Sequence, residues 1–325
     1  MEESLIEVVN IVKRFDGVTA IDGLSFSVSK GEFFGFLGPN GAGKTTTINI
    51  LTGLARADSG SIRISDRDCT RNPKAAQHMI GVVPDESNLY PELSGYDNLC
   101  FCASLYGMRK IERQERSTEL LNTFGLVEAA HRKFGGYSKG MKRRLTIAAG
   151  IIHHPQILFL DEPTTGIDVG SARQIRQLIS QLHRSGATIF LTTHYIEEAE
   201  RLCDRIAFIV KGKIVQIDTV SNLLQPIQDK KVMLITVNSP TLNLCERLRE
   251  QFPSLSCESR SPVQFEVEST RTINVGHLVR FFEENGSEVV EAKRVIPSLE
   301  DVFVKTTGIE MDAMRKEREK AVPNP

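Results

Sequence analysis

The sequence has little that would mark a membrane-spanning or polyanion-binding protein. Lysine and arginine number 40 against 41 aspartates and glutamates, so the net charge of −1 gives no electrostatic case for nucleic acid as a partner. No apolar run approaches the roughly 18 residues of a membrane-spanning helix. The longest runs, ILFL and IAFIV, have the length of strands. Any membrane role must therefore come through a partner.

Cysteine pairs with metal-binding or redox spacing are also missing. The six cysteines include no CxxC pair of the zinc or redox kind. The first residues, MEESLIEVV, lack the basic and apolar regions of a signal peptide. We therefore expect all six to be reduced thiols in a cytoplasmic protein. The six are Cys69, Cys100, Cys102, Cys203, Cys245 and Cys257.

What is present is a pattern of strands and helices long enough for two domains. A chain of 325 residues exceeds what one core usually needs, so we expect a large domain and a smaller one. Most of the apolar runs have helical patterns between them, which predicts an α/β sheet with parallel strands at its core. Helical spacing takes over at about 86–154 and predicts a helical subdomain. The predicted strands are VVNIVKRF, LSFSVSK, EFFGFL, MIGVV, QILFL, TIFLTT and IAFIV.

The pattern changes after about Asn222. The order of apolar runs from VMLITV to EVVEAKRV predicts βαββαβ, a small α+β domain of the ferredoxin-like kind. The end of the chain, MDAMRKEREKAVPNP, is charged and finishes in prolines, which predicts a frayed helix followed by disorder. We therefore divide the chain into 1–222, 223–308 and a charged tail at 309–325.

A glycine-rich stretch, GPNGAGKTTT, follows the strand FFGFL and precedes a helical pattern. It fits GxxxxGK[ST] in the context that a phosphate-binding loop requires. Backbone N–H groups and the helix N-terminus can hold a phosphate, Lys44 can neutralise β- and γ-oxygens, and the Thr45 hydroxyl can bind Mg²⁺. The predicted nucleotide-binding residues of this loop are Gly38, Pro39, Asn40, Gly41, Ala42, Gly43, Lys44, Thr45 and Thr46.

Two later strands end in further polar residues. QILFLDEP places Asp161 and Glu162 after a buried strand, and TIFLTTHY places His194 after another. Asp161 can hold Mg²⁺ through water, Glu162 can orient or deprotonate the attacking water, and His194 can donate a hydrogen bond to a γ-phosphate. The sequence therefore predicts a site that binds and hydrolyses a nucleoside triphosphate.

These motifs, with YSKGM before a helix and GIDVGSAR after the acidic strand, resemble the nucleotide-binding subunit of ATP-binding cassette (ABC) transporters over about residues 4–218. The resemblance implies a P-loop NTPase fold of the ABC type, with ATP and Mg²⁺ bound between two copies. It implies that Ser138, Lys139 and Gly140 bind the γ-phosphate held by the partner copy. The segment departs from the common LSGGQ at Tyr137, Lys139 and Met141.

The resemblance also assigns three isolated residues. Phe15 would stack on adenine, and Asp168 would help connect the two sites of a dimer, although Val169 stands where proline is usual. Asp85 stands where family members carry glutamine near Mg²⁺ and the attacking water. Two interpretations of Asp85 stay open: a metal-binding and catalytic carboxylate, or the cap of a helix that begins near Glu86 or Ser87.

The segment IPSLEDVFVKTTG at 296–308 is similar to the C-terminal part of exporter ATPases of the daunorubicin-resistance and lipopolysaccharide or nodulation-factor type, which have a separate permease. The resemblance thus implies an ATP-hydrolysing motor that drives export. It would act as a homodimer on the inner face of the cell membrane, joined to an integral membrane permease.

Two alternatives from other classes remain. One is a soluble cassette ATPase of translation or chromosome maintenance, but the chain has one cassette and too short a stretch between Lys44 and Ser138 for inserted coiled coils. The other is a nucleotide-gated binding module with little turnover, which Asp85 favours and Glu162 and His194 disfavour. A GTPase is disfavoured because no NKxD motif occurs.

Overall fold

The computed structural model describes residues 4–228, 231–239, 243–295 and 298–309, and the chain divides into two compact units. The second unit is Ser221–Lys305. Of the predicted tail, only Ile309 is among the described residues. In the described part of the chain, no helix has the length and apolar character to cross a bilayer.

The first unit contains a four-stranded antiparallel sheet and a six-stranded sheet. The antiparallel sheet has the order β2-β1-β4-β5, with β1 Ser4–Phe15, β2 Val18–Ser29, β4 Ser59–Ile64 and β5 Arg67–Asp68. The second sheet has the order β10-β9-β3-β8-β7-β6, and only β10 runs antiparallel to its neighbour. Its strands are β3 Phe33–Leu37, β6 Ile80–Val83, β7 Ile157–Asp161, β8 Thr188–Thr193, β9 Arg205–Val210 and β10 Lys213–Thr219.

An aromatic core fixes the two sheets to each other. The rings of Phe26, Phe34, Phe36 and Phe159 each lie 5.4–5.9 Å from the ring of Phe190. Aromatic burial of this kind contributes strongly to core stability. Because Phe26 comes from β2 and the others from the parallel sheet, this cluster joins the layers behind the carboxyl ends of β3, β7 and β8.

The helices of the first unit connect the strands of the parallel sheet. The helical subdomain predicted at about 86–154 contains α2, α3 and α4, but its first helix begins at Gly95, with Ser94 as the N-cap. No helix begins near Glu86 or Ser87, so the capping interpretation of Asp85 is wrong. The helices are α1 Lys44–Leu51, α2 Gly95–Leu105, α3 Lys110–Thr123, α4 Lys139–Gly150, α5 Val169–Arg184 and α6 Ile196–Leu202. The next helix, α7 Val220–Gln228, belongs to the second unit except for its first residue.

The C-terminal end of α4 packs directly on the backbone of β6. A Cβ atom on Gly81 would lie 2.2 Å from the carbonyl oxygen of Gly150, and a Cβ on Gly150 would lie 2.9 Å from Cγ2 of Val83. Only glycine allows two backbones to approach this closely. The contact therefore fixes the last turn of α4 against the sheet.

The second unit has the predicted βαββαβ order. Its antiparallel sheet has the order β12-β13-β11-β14, and the apolar faces of two helices cover one side of it. The ferredoxin-like arrangement predicted from the sequence is thereby confirmed. The elements are β11 Lys231–Val237, α8 Leu244–Gln251, β12 Ser256–Ser261, β13 Gln264–Ser269, α9 Val275–Glu284 and β14 Val289–Val295, followed by α10 Leu299–Thr307.

The prediction of six reduced thiols is wrong for two of them. Cys245 on α8 and Cys257 on β12 form a disulfide, with their Cα atoms 5.1 Å apart. The chain turns back after α8, which places the two cysteines opposite each other. The free thiols are Cys69, Cys100, Cys102 and Cys203.

Candidate functional site

Strand register brings the predicted motifs to one edge of the parallel sheet. Leu37 at the end of β3 pairs with Thr193 of β8, and Asp161 at the end of β7 pairs with Thr192. The residues that follow these strands are the phosphate loop (residues 38–46), Glu162 and His194. Parallel strands end at the same edge, so three segments distant in sequence meet there.

Glycine is required at two positions of the phosphate loop. A Cβ on Gly38 would lie 2.1 Å from the carbonyl oxygen of Ile209, and a Cβ on Gly43 would lie 2.7 Å from that of Ala20. Gly43 also has φ 102°, a conformation that side chains disfavour. The loop is therefore held against β2 and β9 by contacts that any side chain would break.

The remaining loop residues surround the N-terminus of α1. Lys44 is buried and donates hydrogen bonds to the carbonyls of Gly38 (2.7 Å) and Pro39 (3.1 Å). Thr45 is exposed and Thr46 is half-buried. Ala42 is buried, whereas Asn40 and Gly41 are exposed. The first turn of the helix thus presents a hydroxyl and backbone N–H groups to solvent, as an anion site requires.

Lys44, Glu162 and His194 form one buried cluster. The Lys44 ammonium lies 3.1 Å from Oε1 of Glu162, and Nδ1 of His194 lies 2.7 Å from Oε2. Thr165 also donates a hydrogen bond to Oε2, at 3.1 Å. Oε1 is buried and has no hydrogen bond among the described residues, although it forms the ion pair with Lys44. One carboxylate oxygen is thus left with acceptor capacity inside the site.

The Glu162 carboxylate is held in its ionised form. Burial acts to raise its pKa, but the hydrogen bond from His194 and the positive charge of Lys44 outweigh burial, and the pKa lies below the usual value. A carboxylate only accepts hydrogen bonds, so Nδ1 of His194 must carry the proton of this contact. The other ring nitrogen, Nε2, then donates only when the imidazole is protonated.

Asp161 is buried beside this cluster. Its side chain is 3% exposed, and Oδ1 accepts a hydrogen bond from the hydroxyl of Thr192. Asp161 ends β7, whereas Glu162 has φ 48°, in the left-handed region. This change in backbone direction separates the two adjacent carboxylates: Glu162 faces Lys44 and His194, and Asp161 bonds to β8.

Asp85 follows β6 and is joined to the site through Arg143. Its carboxylate is about half exposed and lies 3.5 Å from Nη2 of Arg143. Arg143 also donates hydrogen bonds to the carbonyls of Pro84 and Asp85 and, at 3.4 Å, to the carbonyl of Glu162. Burial raises the pKa of Asp85, which Arg143 opposes and the Glu162 and Asp161 charges reinforce.

The signature segment, Ser138–Gly140, lies at the N-terminus of α4. Ser138 is the N-cap, and its hydroxyl accepts a hydrogen bond from the N–H of Met141 at 3.2 Å. Ser138 and Lys139 are exposed, and Gly140 is buried where a Cβ would lie 2.5 Å from Oγ of Ser171. In the described residues, no hydrogen bond or ion pair links this segment to Lys44 of the same copy.

Three residues around these motifs have structural contacts of their own. Asp168 is the exposed N-cap of α5, where the N–H of Ser171 donates to it and lowers its pKa. Phe15 is 47% exposed at the β1–β2 hairpin, with the Lys13 ammonium 5.0 Å from the ring centroid. Tyr137, at a position where the signature departs from the common pattern, is buried and donates to the carbonyl of Ala129 at 2.6 Å.

Comparisons with known proteins agree with this site. Residues 21–165 match the family described as ABC transporter. An uncharacterized ABC transporter ATP-binding protein of Bacillus subtilis, YhcH, is 34% identical over 94% of this chain and 97% of its own length. The chain belongs to the ABC transporter ATP-binding proteins.

Two further members of the ABC family are named for drug resistance. The linearmycin resistance ATP-binding protein LnrL of Bacillus subtilis is 41% identical over 72% of this chain and 75% of its own length. The daunorubicin/doxorubicin resistance ATP-binding protein DrrA of Streptomyces peucetius is 42% identical over 67% of this chain and 66% of its own.

Solved ABC cassettes share the fold. A dimeric cassette in a post-hydrolysis state, bound to ADP and Pi, superposes with a TM-score of 0.61 at 25% identity and covers 66% of this chain and 98% of its own. An ATP-binding subunit of an ABC transporter gives 0.62 at 28% identity, covering 69% and 93%. The predicted fold and the predicted function of an ABC ATPase that binds ATP are confirmed, and the soluble alternative is not favoured.

Sequence reasoning missed two buried residues that organise the ABC site. Arg143 lies within the basic run KRR, which resembles a solvated helix face, yet helical spacing puts it on the same face as buried Gly140 and Ile147. Glu198 of α6 is buried and accepts hydrogen bonds from Thr164 (2.9 Å) and Thr193 (3.0 Å). That helical spacing was the available signal for Arg143; we find none for Glu198.

Proposed function

We propose that this chain is the motor subunit of an exporter and that two copies bind two ATP molecules between the phosphate loop of one and the signature segment of the other. Hydrolysis releases the two copies, and a separate integral membrane permease converts this cycle into export. The dimer would then lie on the cytoplasmic side of the cell membrane. The observation that carries the proposal is the buried cluster of Lys44, Glu162 and His194 beside a glycine-dependent phosphate loop.

The phosphate loop supplies the binding step. Lys44 contacts the carbonyls of Gly38 and Pro39, which follow β3, and the carboxylate of Glu162, which follows β7. Phosphate oxygens can replace these partners, because an ammonium group with three donors can be redirected by small rotations. The N–H groups at the start of α1 complete the anion site.

The donor set at the edge of the sheet also fits Mg²⁺ bound together with a triphosphate. The described residues contain no cluster of three His, Cys, Asp or Glu side chains that could hold a metal alone, so phosphate oxygens and water would complete the coordination. Thr45 offers an exposed hydroxyl and Asp161 a buried carboxylate, with Asp85 as a further oxygen ligand. When bound, Mg²⁺ would neutralise charge that develops on the phosphates.

Glu162 is suited to act on the attacking water. Its lowered pKa keeps it ionised at neutral pH, and Oε1 has unused acceptor capacity once Lys44 turns to the phosphates. A carboxylate in this state can orient a water molecule and take its proton. His194 would bind the γ-phosphate through Nε2, which requires either protonation of the ring or loss of its contact with Glu162.

The signature segment completes the site of the partner copy. Ser138 and Lys139 are exposed at the positive end of α4, so a hydroxyl, an ammonium group and backbone N–H groups are accessible to a phosphate of the partner copy. Asp168 would contribute at the same dimer interface, and the exposed ring of Phe15 would stack on adenine.

The assignment to export rests on the relatives. The ATP-binding proteins most similar over the cassette include ones named for linearmycin and daunorubicin/doxorubicin resistance. We therefore propose that this chain also drives export. The transported substrate would be selected by the permease.

Mixed dimers test the shared sites. One subunit carries Lys44→Ala and the other Ser138→Arg, so that both substitutions fall on the same composite site and the second site stays intact. We expect partial ATPase activity in the mixed dimer and almost none in either homodimer. A mixed dimer as inactive as the homodimers would contradict the proposal. Stimulation by the permease, reconstituted in vesicles, tests the coupling to transport.

A further inference from the structure

Arg143 joins two segments of the ATP site, the residues after β6 and the residue after β7, although it belongs to the helix that carries the signature segment. Its side chain is 6% exposed, whereas those of Lys142 and Arg144 on either side are only half-buried. Its guanidinium donates to the carbonyls of Pro84 and Asp85 after β6 and to the carbonyl of Glu162 after β7. No other side chain among the described residues makes these contacts.

The chemistry of the group explains why arginine is found there. A buried charge is costly unless it is paired and its hydrogen bonds are satisfied. The planar guanidinium has five N–H donors in a fixed fork, so it can bind acceptors from several directions at once. A lysine ammonium keeps the charge but cannot hold the same three acceptors in one plane. The next residue, Arg144, instead donates to Phe124 inside the helical subdomain, at 2.9 Å.

Two parts of α4 therefore contact different copies of the proposed dimer. The signature segment, Ser138–Gly140, faces the partner's nucleotide, whereas Arg143 donates hydrogen bonds to the backbone carbonyls of Asp85 and Glu162 in its own copy. A displacement of Asp85 or Glu162 when ATP binds would therefore move the guanidinium and, with it, α4.

We infer that Arg143 is a positioning residue that couples the ATP site of its own copy to the signature segment that serves the other site. The inference rests on the proposed composite sites and goes beyond them. It assigns one residue of this chain the task of making the two sites dependent on each other.

Dimers with one working composite site distinguish two possible roles of Arg143: coupling of the two ATP sites, and support of Glu162 within a single copy. The reference dimer combines a Ser138→Arg subunit, which supplies the working phosphate loop, with a Lys44→Ala subunit, which supplies the working signature segment. Arg143→Met is then added to one subunit or to the other. Coupling requires turnover to fall in both arrangements, by on the order of 10²-fold, because small misplacements of a catalytic constellation have effects of this size.

A different result is expected if Arg143 only holds Glu162 in place within its own copy. In that case Arg143→Met lowers turnover of the dimer only when it is added to the Ser138→Arg subunit. Normal turnover with Arg143→Met in the Lys44→Ala subunit would therefore overturn the inference. Arg143→Lys should recover part of the loss in both arrangements. ATP affinity of the isolated subunits, measured by calorimetry, should stay at the wild-type value because Arg143 lies outside the phosphate loop.

Arg144→Met is the matched control. It removes a neighbouring arginine from the same helix but leaves the contacts with Asp85 and Glu162, so turnover should not change in either arrangement. If Arg144→Met and Arg143→Met lower turnover equally, with equal shifts in thermal unfolding, Arg143 only stabilises the helix and the inference is wrong.

The reference dimer tests the proposed composite sites themselves. If it has no activity, both the composite sites and the inference are rejected. If it is active and Arg143→Met does not change its activity, only the inference is rejected.

Discussion

Glu162→Gln should separate ATP binding from hydrolysis, because Glu162 competes with ATP for Lys44. The Lys44 ammonium lies 3.1 Å from the Glu162 carboxylate, and this ion pair must open before Lys44 can bind phosphate. The neutral amide removes that competition and one negative charge beside the γ-phosphate. We therefore expect the variant to bind ATP more tightly than the wild type.

The size of the effect follows from the geometry. Unit charges at 3.1 Å attract each other by roughly 5 kcal/mol at an effective dielectric constant of about 20. Desolvation of both groups offsets most of this attraction, and Lys44 keeps its bonds to the Gly38 and Pro39 carbonyls. A net change of about 1 kcal/mol corresponds to about five-fold tighter ATP binding. Turnover should fall about 10²-fold or more, because an amide cannot accept the proton of water.

Three measurements check this prediction. Calorimetry gives the ATP affinity of the subunit, phosphate release gives turnover, and size exclusion with ATP shows the accumulated dimer. Glu198→Gln is the control, since Glu198 is a buried carboxyl group without a contact to Lys44, and its ATP affinity should match the wild type. A Glu162→Gln variant that binds ATP no more tightly than this control would refute the competition, and wild-type turnover would remove Glu162 as the base.

The remaining predictions concern single side chains. Lys44→Ala should weaken ATP binding itself, because it deletes the charge that offsets the phosphates, and an unchanged affinity by calorimetry would contradict this. Asp85→Gln should keep ATP binding and dimerisation but shift the Mg²⁺ concentration for half-maximal hydrolysis, and Asp85→Ala should lose more activity; identical Mg²⁺ titrations in both variants and the wild type would exclude a metal role. His153, whose pKa is lowered to about 4 by burial, stacks on Tyr106 and contacts the Ile80 carbonyl at 3.0 Å. Only the unfolded chain binds its proton between about pH 6.5 and 4, so stability should fall as the pH drops through this range. Because the ring is partly exposed, we expect His153→Gln to remove only about 1 kcal/mol of the loss between pH 7 and 5 in urea unfolding, and an identical pH profile would show that His153 does not contribute.

The sequence could predict the parts of the site that consist of contiguous residues. The phosphate loop is a strand, a glycine-rich turn and a helix in one stretch, so its conformation follows from local rules. The meeting of Glu162 and His194 followed from a general property of parallel sheets, namely that strand ends share an edge. Their hydrogen bond at 2.7 Å depends on register and on the left-handed backbone of Glu162, which the sequence does not show.

Other features depend on contacts between distant residues. Two acceptors of Arg143, the carbonyls of Pro84 and Asp85, lie almost sixty positions earlier in the chain, so helical spacing can indicate that Arg143 is buried but not which groups it contacts. Cys245 and Cys257 have no metal or redox spacing, and only the packing of α8 beside β12 brings them together. The strands β4 and β10 were not predicted, because neither contains a continuous apolar run of the kind found in β3, β7 and β8.

The glycine contact with β6 fixes the C-terminal end of α4, so a rotation about this contact displaces the signature segment at the other end of the helix. Gly150 touches the backbone of β6, whereas Ser138, at the other end, is exposed to solvent. A helix of 12 residues is about 18 Å long. A tilt of about 5° around the glycine contact would therefore displace Ser138 by about 1.5 Å. That distance is half the length of a hydrogen bond, so a rotation too small to disturb the packing at Gly150 is enough to make or break a contact between Ser138 and a phosphate on the other copy.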